Sequence, residues 1–296
     1  METRNKMESV HKTVLLNETI EGLKLEGKSL VLDCTFGGGG HSKEILKKYP
    51  NIKIIALDQD QNVFKSFSDK RISFKNINFR NLDEVLDGQR ADAIIFDLGL
   101  SSDQLENSGR GFSFMKSEPL LMTMKENPQP EDLTAKDIVN VWSEKSLADI
   151  IYGYGEERFS RRIAKGIVEA RKKQKIETTG DLVKAIENSV PAVYKRGRLH
   201  FATKTFQALR IAVNDELETL KIGLEKGFKV LNKEGRMAVI SFHSLEDRIV
   251  KKFYKEKQKE NKAILINKKP IIAKEEEKKN NPRSRSAKLR ILEKII

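Results

Sequence analysis

The sequence predicts an α/β fold: a doubly wound, mostly parallel sheet covered by helices on both faces and interrupted by an inserted all-helical domain. Three observations carry this reading. Two apolar runs of buried-strand length, Ser29-Leu-Val-Leu-Asp33 and Lys53-Ile-Ile-Ala-Leu-Asp58, flank a glycine run and a short helical segment. Further strand signals alternate with helical ones, the pattern of a parallel sheet with both faces covered. Between residues 105 and 200, by contrast, no comparable strand occurs and helical periodicity dominates.

Taken in order, the first strand runs into Gly37-Gly-Gly-Gly40, and residues 42–49 form a short helix with Ile45 and Leu46 turned inward. With the second strand this makes a crossover unit of ~30 residues. A weaker strand follows at 71–75, a clear one at Ala91-Asp-Ala-Ile-Ile-Phe-Asp97, and another at Arg236-Met-Ala-Val-Ile-Ser-Phe242. Residues 134–142, 156–173 and 179–190 read as helices, punctuated by Pro119, Pro128, Pro130 and Pro191. From 205 to 231, Phe206, Leu209, Val213, Leu217, Leu220, Leu224 and Phe228 recur at steps of three and four, which predicts one long helix. The domains are then a discontinuous core of 1–105 and 205–296 and a helical insertion of 106–204, a candidate for substrate recognition.

The 296 residues carry a formal charge of +13, which suits a polyanionic partner; a lysine-rich solvated surface explains it equally well. Cys34 is the only cysteine, and His11, His41, His200 and His243 lack paired ligand spacing, so neither an internal disulfide nor a metal site is expected. No apolar run approaches the ~20 residues that span a bilayer. The expectation is a cytoplasmic protein with no membrane association. From residue 251 onward sixteen Lys/Arg face six Asp/Glu, and a solvated, mobile tail stands as one reading of that segment.

Chemistry enters at the glycine loop. Its place between a strand and a helix allows close backbone approach to a cofactor. Dinucleotide folds typically use one acid, after the second strand, whereas here Asp33 closes the first strand and Asp58 the second. Asp58 is placed for the ribose hydroxyls of an adenosyl group, and Asp33 for the positive amino-acid end of S-adenosylmethionine, directly or through water. The pair favours that cofactor over a nicotinamide dinucleotide. Asp97 is a third acid on the same edge.

At this point the chain resembles the bacterial small-subunit ribosomal RNA cytosine-N4 methyltransferases, the MraW or RsmH group. The resemblance rests on His11-Lys-Thr-Val-Leu-Leu-Asn-Glu18, Asp33-Cys-Thr-Phe-Gly-Gly-Gly-Gly-His-Ser42, Asp97-Leu-Gly-Leu-Ser-Ser-Asp-Gln104, Arg110-Gly-Phe-Ser-Phe114, Ala202-Thr-Lys-Thr-Phe-Gln-Ala-Leu-Arg210, Ile240-Ser-Phe-His-Ser-Leu-Glu-Asp-Arg248 and Asn281-Pro-Arg-Ser-Arg-Ser-Ala-Lys-Leu-Arg290. It implies a Rossmann-like class I methyltransferase core and methylation of the exocyclic amine of one cytosine in the decoding region of 16S ribosomal RNA, within the small ribosomal subunit. It also implies cofactor contacts at Gly39, Gly40, His41, Asp58, Phe79, Asp97 and Gln104, with Phe79 lining the adenine pocket. Glu118-Pro-Leu-Leu-Met-Thr-Met124 departs from the family's usual run, with Leu121 and Thr123 in place of an acid and an arginine.

The amine of cytosine needs alignment and a hydrogen-bond acceptor more than a covalent nucleophile. Asp97, or the Leu98 carbonyl, is the expected acceptor, with Phe112, Phe114 or Phe242 as the stacking face. His243, Glu246 and Asp247 form a second polar group, in which Ser244 is the expected cap of a helix. Arg198 in Lys195-Arg-Gly-Arg198, together with Arg283, Arg285 and Arg290, are the expected phosphate contacts. Homodimerisation is left open, as are two rival readings: a nicotinamide-dependent oxidoreductase, and an inactive RNA-binding factor that keeps the fold.

Overall fold

The structure, a computed structural model, describes residues 13–65 and 67–296 of the chain, without the side chains of Ser102 and Asp103. His11, which opens the first family block, lies outside the described residues. The chain divides into two compact units, one comprising residues up to 102 with 217–296, the other 103–216.

The first unit is built on a seven-stranded sheet of β1 (Leu30–Asp33), β2 (Lys53–Asp58), β3 (Ile72–Asn76), β4 (Ala91–Asp97), β5 (Leu231–Ser241), β6 (Ala263–Leu265) and β7 (Lys288–Lys294), in the order β3-β2-β1-β4-β5-β7-β6. β1 to β5 run parallel. β7 pairs antiparallel with β5, and β6 with β7. The order reverses between β1 and β4, and in an open α/β sheet the crevice at the carboxyl ends of strands at such a reversal receives ligands. Asp33 is in register with Ile95, so Asp97 projects two residues beyond it on the same edge.

The apolar strands pack on both faces, as their unbroken hydrophobicity requires. One core gathers Val31, Ile54, Ala93 and Ile240 with Ile20 and Leu23 of the helix Leu16–Leu23 and Ile45 and Leu46 of the helix Gly40–Lys48. The other gathers Leu32, Ile94, Phe96 and Val239 with Leu220, Leu224 and Phe228 of the helix Glu216–Val230 and Val250, Phe253 and Tyr254 of the helix Ser244–Lys259.

The second unit is helical, and its helices bury Ile138, Leu147, Ile151, Ile163, Ile167, Leu182, Ile186 and Leu209. Capping boxes at Thr134 with Asp137 and Thr178 with Asp181 start the helices Ala135–Val141 and Thr179–Ser189. A further helix, Glu144–Gly153, was not expected from the pattern.

Two expectations are corrected. The long helix over 205–231 is in fact two, Thr203–Asn214 and Glu216–Val230, because Asp215 takes a left-handed conformation with φ 48° and caps the first. Asparagine and aspartate tolerate that conformation better than other side-chain-bearing residues, so Asn214-Asp215 was the available signal. The basic tail is not a loose segment either. β7 inserts beside β5, burying Leu289, Ile291 and Leu292, and the buried Lys294 ammonium donates to the carbonyls of Phe228 and Leu231.

Candidate functional site

The glycine loop is tied to the strands on either side of it. Phe36 N–H donates to the Leu57 carbonyl at 3.0 Å and Cys34 N–H to the Ile95 carbonyl at 2.9 Å. Gly37 N–H donates to Asp58 Oδ2 at 2.9 Å, and Asp97 N–H to Thr35 Oγ1 at 2.6 Å. Gly37 and Gly39 have φ of 49° and 68°, and a Cβ on Gly39 would lie 2.5 Å from Phe36 Cζ. Only glycine fits there without strain. Phe36 is itself held by Phe64, Phe67 and Phe74.

Three carboxylates converge on this loop. Asp33, nearly fully buried, accepts from Ser42 Oγ at 2.6 Å and Thr35 N–H at 3.3 Å, which pins the start of the following helix to the strand end. Burial pushes its carboxyl up to about 6 despite those donors. Asp58 accepts from Gly37 and Asp60 N–H groups, and burial likewise lifts it to about 6, with Asp60 and Asp33 adding repulsion. Asp97 is pushed well above the usual carboxylate range by burial, then by the charges of Asp33 and Glu246. Its Oδ2 lies 3.6 Å from His41 Nδ1, and its Oδ1 is buried with no hydrogen-bond partner among the described residues.

Such a site is short of positive charge. A ligand with a cationic centre would favour the ionised acids, and the open glycine backbone would let it approach closely. S-adenosylmethionine, with a sulfonium and an ammonium beside an adenosyl group, fits this donor set: Asp58 and Asp33 keep lone pairs for hydroxyl and ammonium donors, and Asp97 Oδ1 has no donor among the described residues.

The other expected residues fall in several places. Gly40 and His41 open the helix Gly40–Lys48, with His41 buried. Phe79 stands edge-on to Phe96 at 5.4 Å and packs on the second core, against Gly223. Gln104, Phe112, Phe114 and Arg198 belong to the second unit. There Gln104 is buried, Phe112 is buried beneath the Arg110 guanidinium, and Phe114 is stacked on His200 at 4.4 Å. Arg198 is exposed. Leu121 and Thr123 lie in an irregular segment where Leu121 C=O accepts from Ala135 N–H and Thr123 is buried.

Phe242 and His243 follow β5. The expected Ser244 cap is instead His243, whose Nδ1 accepts from Glu246 N–H while Glu246 Oε2 accepts from the Phe242 and His243 N–H groups. Glu246 is buried and structural in this respect. Arg290 is engaged by a two-pronged pair to Asp247, at 2.7 and 3.3 Å. Burial alone would raise Asp247, but Arg290 and then Lys288 hold it below the usual range. Arg290 is therefore part of the fold, whereas Arg285 is exposed, its Nε donating to the Lys278 carbonyl at 3.3 Å. Thr35 and Ser42 are the positioning residues that reasoning on acids and glycines missed, although both stand inside the Asp33 to Ser42 run. No helix among the described residues is long and apolar enough to cross a membrane.

Curated relatives cover the chain almost end to end. A protein named ribosomal RNA small subunit methyltransferase H from Clostridium botulinum (strain Kyoto / Type A2) is 46% identical over 98% of this chain and 100% of its own length. Proteins of the same name from Synechococcus elongatus, at 47% identity over 97% and 95%, and from Brevibacillus brevis, at 43% over 96% and 98%, are similar to it as well. A solved rRNA methylase from Streptococcus thermophilus superposes with a TM-score of 0.41 at 11% identity, over 91% of this chain and 88% of that one, too distant to bear on function. The MraW methylase family profile matches residues 8–295, and with the glycine loop and strand-end acids of that profile's span in place, the chain belongs to the MraW methylase family.

Proposed function

We propose that the chain transfers a methyl group from S-adenosylmethionine to the exocyclic N4 amine of one cytosine in the decoding region of 16S ribosomal RNA. The observation that carries the reading is the convergence of Asp33, Asp58 and Asp97 on a glycine loop with left-handed Gly37 and Gly39, where the strand order reverses. Relatives at 43–47% identity bear a small-subunit ribosomal RNA methyltransferase name, which supports the choice of substrate.

The sulfonium supplies an already activated methyl group. The protein's task is then to bring the amine into line and relieve it of a proton. Asp97 Oδ1, buried and unengaged among the described residues, accepts from the amine N–H. A cation bound beside Asp97 returns it toward its charged form, so that cofactor binding prepares the acceptor. His41, 3.6 Å from the other oxygen, orients the carboxylate. Held by Asp33 and Asp58, the cofactor would supply the methyl group while its sulfur kept the S–C bonding pair, and the amine proton would leave toward Asp97 or water. The helical unit of residues 103–216, with its exposed Arg198, contributes to recognition of the RNA. The substrate is read as the RNA within the small ribosomal subunit.

The test is labelled methyl transfer from S-adenosylmethionine to small subunits from cells lacking this protein, followed by mass mapping of the modified nucleoside. N4-methylation of a single cytosine is the expected outcome. Label on another base, or on cytosine C5, overturns the assignment.

A further inference from the structure

We propose that a cavity at the start of the helix Ser244–Lys259 is a nucleotide subsite that seats a phosphate-bearing residue of the RNA strand next to the methylated one. This rests on the RNA reading above and gives it a place. The cavity measures about 320 Å³ and is lined by Phe242, Ser244, Ile272, Lys278, Arg285 and Lys288 among others. That is within the size range of small-ligand pockets.

Its walls are of two kinds. Phe242 and Ile272 are apolar, and Ile272 is a large hydrophobic side chain left 55% exposed. Lys278, Arg285 and Lys288 are cationic, and Ser244 and Ser286 also line the cavity. A nucleotide has the same division, a flat base and ribose joined to a phosphate. A bare inorganic anion would have no use for the apolar wall, and an apolar ligand none for the cations.

The cations are available at small cost. Lys278 pairs with Glu275, which is 82% exposed, and an exposed pair of this kind is weak and readily exchanged. Lys288 lies 3.4 Å from Asp247, a carboxylate already gripped by Arg290 at 2.7 Å. Arg285, exposed and lining the cavity, has one hydrogen bond among the described residues, from Nε, so its two terminal nitrogens have no partner among them. A phosphate gains a forked pair of donors there.

The wall is also rigid before any ligand arrives. Ser284, fully buried, donates to the Asn281 carbonyl at 2.8 Å, and Ala287 N–H to the Ser284 carbonyl at 3.2 Å, which fixes the turn Pro282–Ser286. Leu15 N–H donates to Glu277 Oε1 at 2.9 Å, anchoring the helix Glu275–Asn280 that carries Lys278. Preorganised walls lose little entropy on binding.

Position supplies the link to the reaction. Asp97 is in register with Ile240, and Lys288 with Ser241, so the cavity lies one to two strands along the same sheet edge, ~5–10 Å from the Asp97 strand. The Phe242 ring faces Gly99 of the loop after β4, where a Cβ would come within 3.4 Å of it. Phe242 thus borders both the loop beyond Asp97 and the cavity.

The experiment pairs a small probe with the full reaction. Cytidine 5′-monophosphate and cytidine are titrated calorimetrically into the full chain and into the double variant Lys278→Ala/Arg285→Ala. S-adenosylmethionine titrations check the fold, and methyl-transfer kinetics are run on small subunits. The monophosphate should bind at least tenfold more tightly than cytidine. The double variant should lose that preference, keep its S-adenosylmethionine affinity, and raise KM for subunits about tenfold, far more than it lowers kcat; Arg285→Lys should recover part of the loss. Unchanged monophosphate affinity in the double variant overturns the subsite. Lost monophosphate binding with an unchanged KM also overturns it, since the cavity would then serve a free nucleotide. If the double variant fails to bind S-adenosylmethionine, the single variants Arg285→Gln and Lys278→Gln decide by the same criteria. Absence of methyl transfer by the wild-type chain counts against the proposed function alone, because the monophosphate titration still reads the cavity.

Discussion

His41 Nδ1 lies 3.6 Å from Asp97 Oδ2, which joins the exit of the glycine loop to the end of the strand beyond the order reversal. The contact leaves Oδ1 as the oxygen with no donor among the described residues. Asp97→Asn keeps the shape and replaces one acceptor oxygen by a donor. Turnover should fall by about 10²-fold or more, the usual weight of a general base. The unliganded variant should melt higher than the wild type, since a carboxyl disfavoured by burial is gone. Steady-state kinetics with calorimetry check both; wild-type turnover in the variant would remove Asp97 from the mechanism.

Cofactor binding should weaken in acid. Asp33 and Asp58 sit at about 6 without ligand, and a cationic ligand prefers them ionised. Through these two carboxylates, affinity for S-adenosylmethionine should drop as pH falls through 6, about tenfold per unit for each that must ionise. Stability of the unliganded chain has the opposite sign on their account. Between the unfolded value near 3.9 and about 6 the folded chain holds more protons, so lowering pH from 7 to 5 stabilises it through these groups. Affinities flat from pH 5 to 8 would contradict the cationic-ligand reading.

The glycine loop separates strain from occlusion. Gly39→Ala combines a φ of 68° with a Cβ 2.5 Å from Phe36, and should cost about 1–3 kcal/mol and weaken S-adenosylmethionine binding at least tenfold. Gly88, with φ 79° and nothing within 4 Å of a Cβ, provides the comparison. Gly88→Ala should cost about 1 kcal/mol and leave cofactor affinity alone. Denaturant titration and calorimetry on the two variants distinguish the effects.

Two tail arginines of the same sequence run should behave differently. Arg290→Ala leaves Asp247 without its forked partner in a nearly buried setting, and should destabilise the chain by about 3 kcal/mol. Arg285→Ala, at an exposed position, should change stability by no more than about 0.5 kcal/mol. Its effect should appear in RNA binding, as a salt dependence shallower by about one unit of slope. Equal stability losses in the two variants would show that both are structural.

Much of this molecule was legible in one dimension. Lys53–Asp58 and Ala91–Asp97 are strands over the runs expected of them, because a strand buried on both faces must be continuously apolar and so announces itself. The seven-residue β7 was missed because Lys288-Leu-Arg-Ile-Leu-Glu-Lys294 carries four charges, at 288, 290, 293 and 294, and so breaks both the apolar run and the strict alternation that mark a strand. Arg290 and Lys294 can be buried only because Asp247 and the carbonyls of Phe228 and Leu231 await them, partners distant in sequence. The break at Asp215 was hidden for a related reason: the apolar stripe on either side continues in phase, and the turn depends on one backbone torsion.

The sequence by itself determined the α/β class, the glycine loop, the strand-end acids Asp33, Asp58 and Asp97, and through its ordered blocks the family. These are local matters of hydrophobic period, backbone freedom and spacing. Only the tertiary structure decided which acid has an unengaged oxygen, which tail arginine is consumed by the fold, and that a cationic cavity opens beside Phe242. The physical reason is that desolvation and pairing depend on what surrounds a group in space. Residues as far apart as Asp97 and Lys288 come to the same sheet edge only when the strands between them are laid side by side.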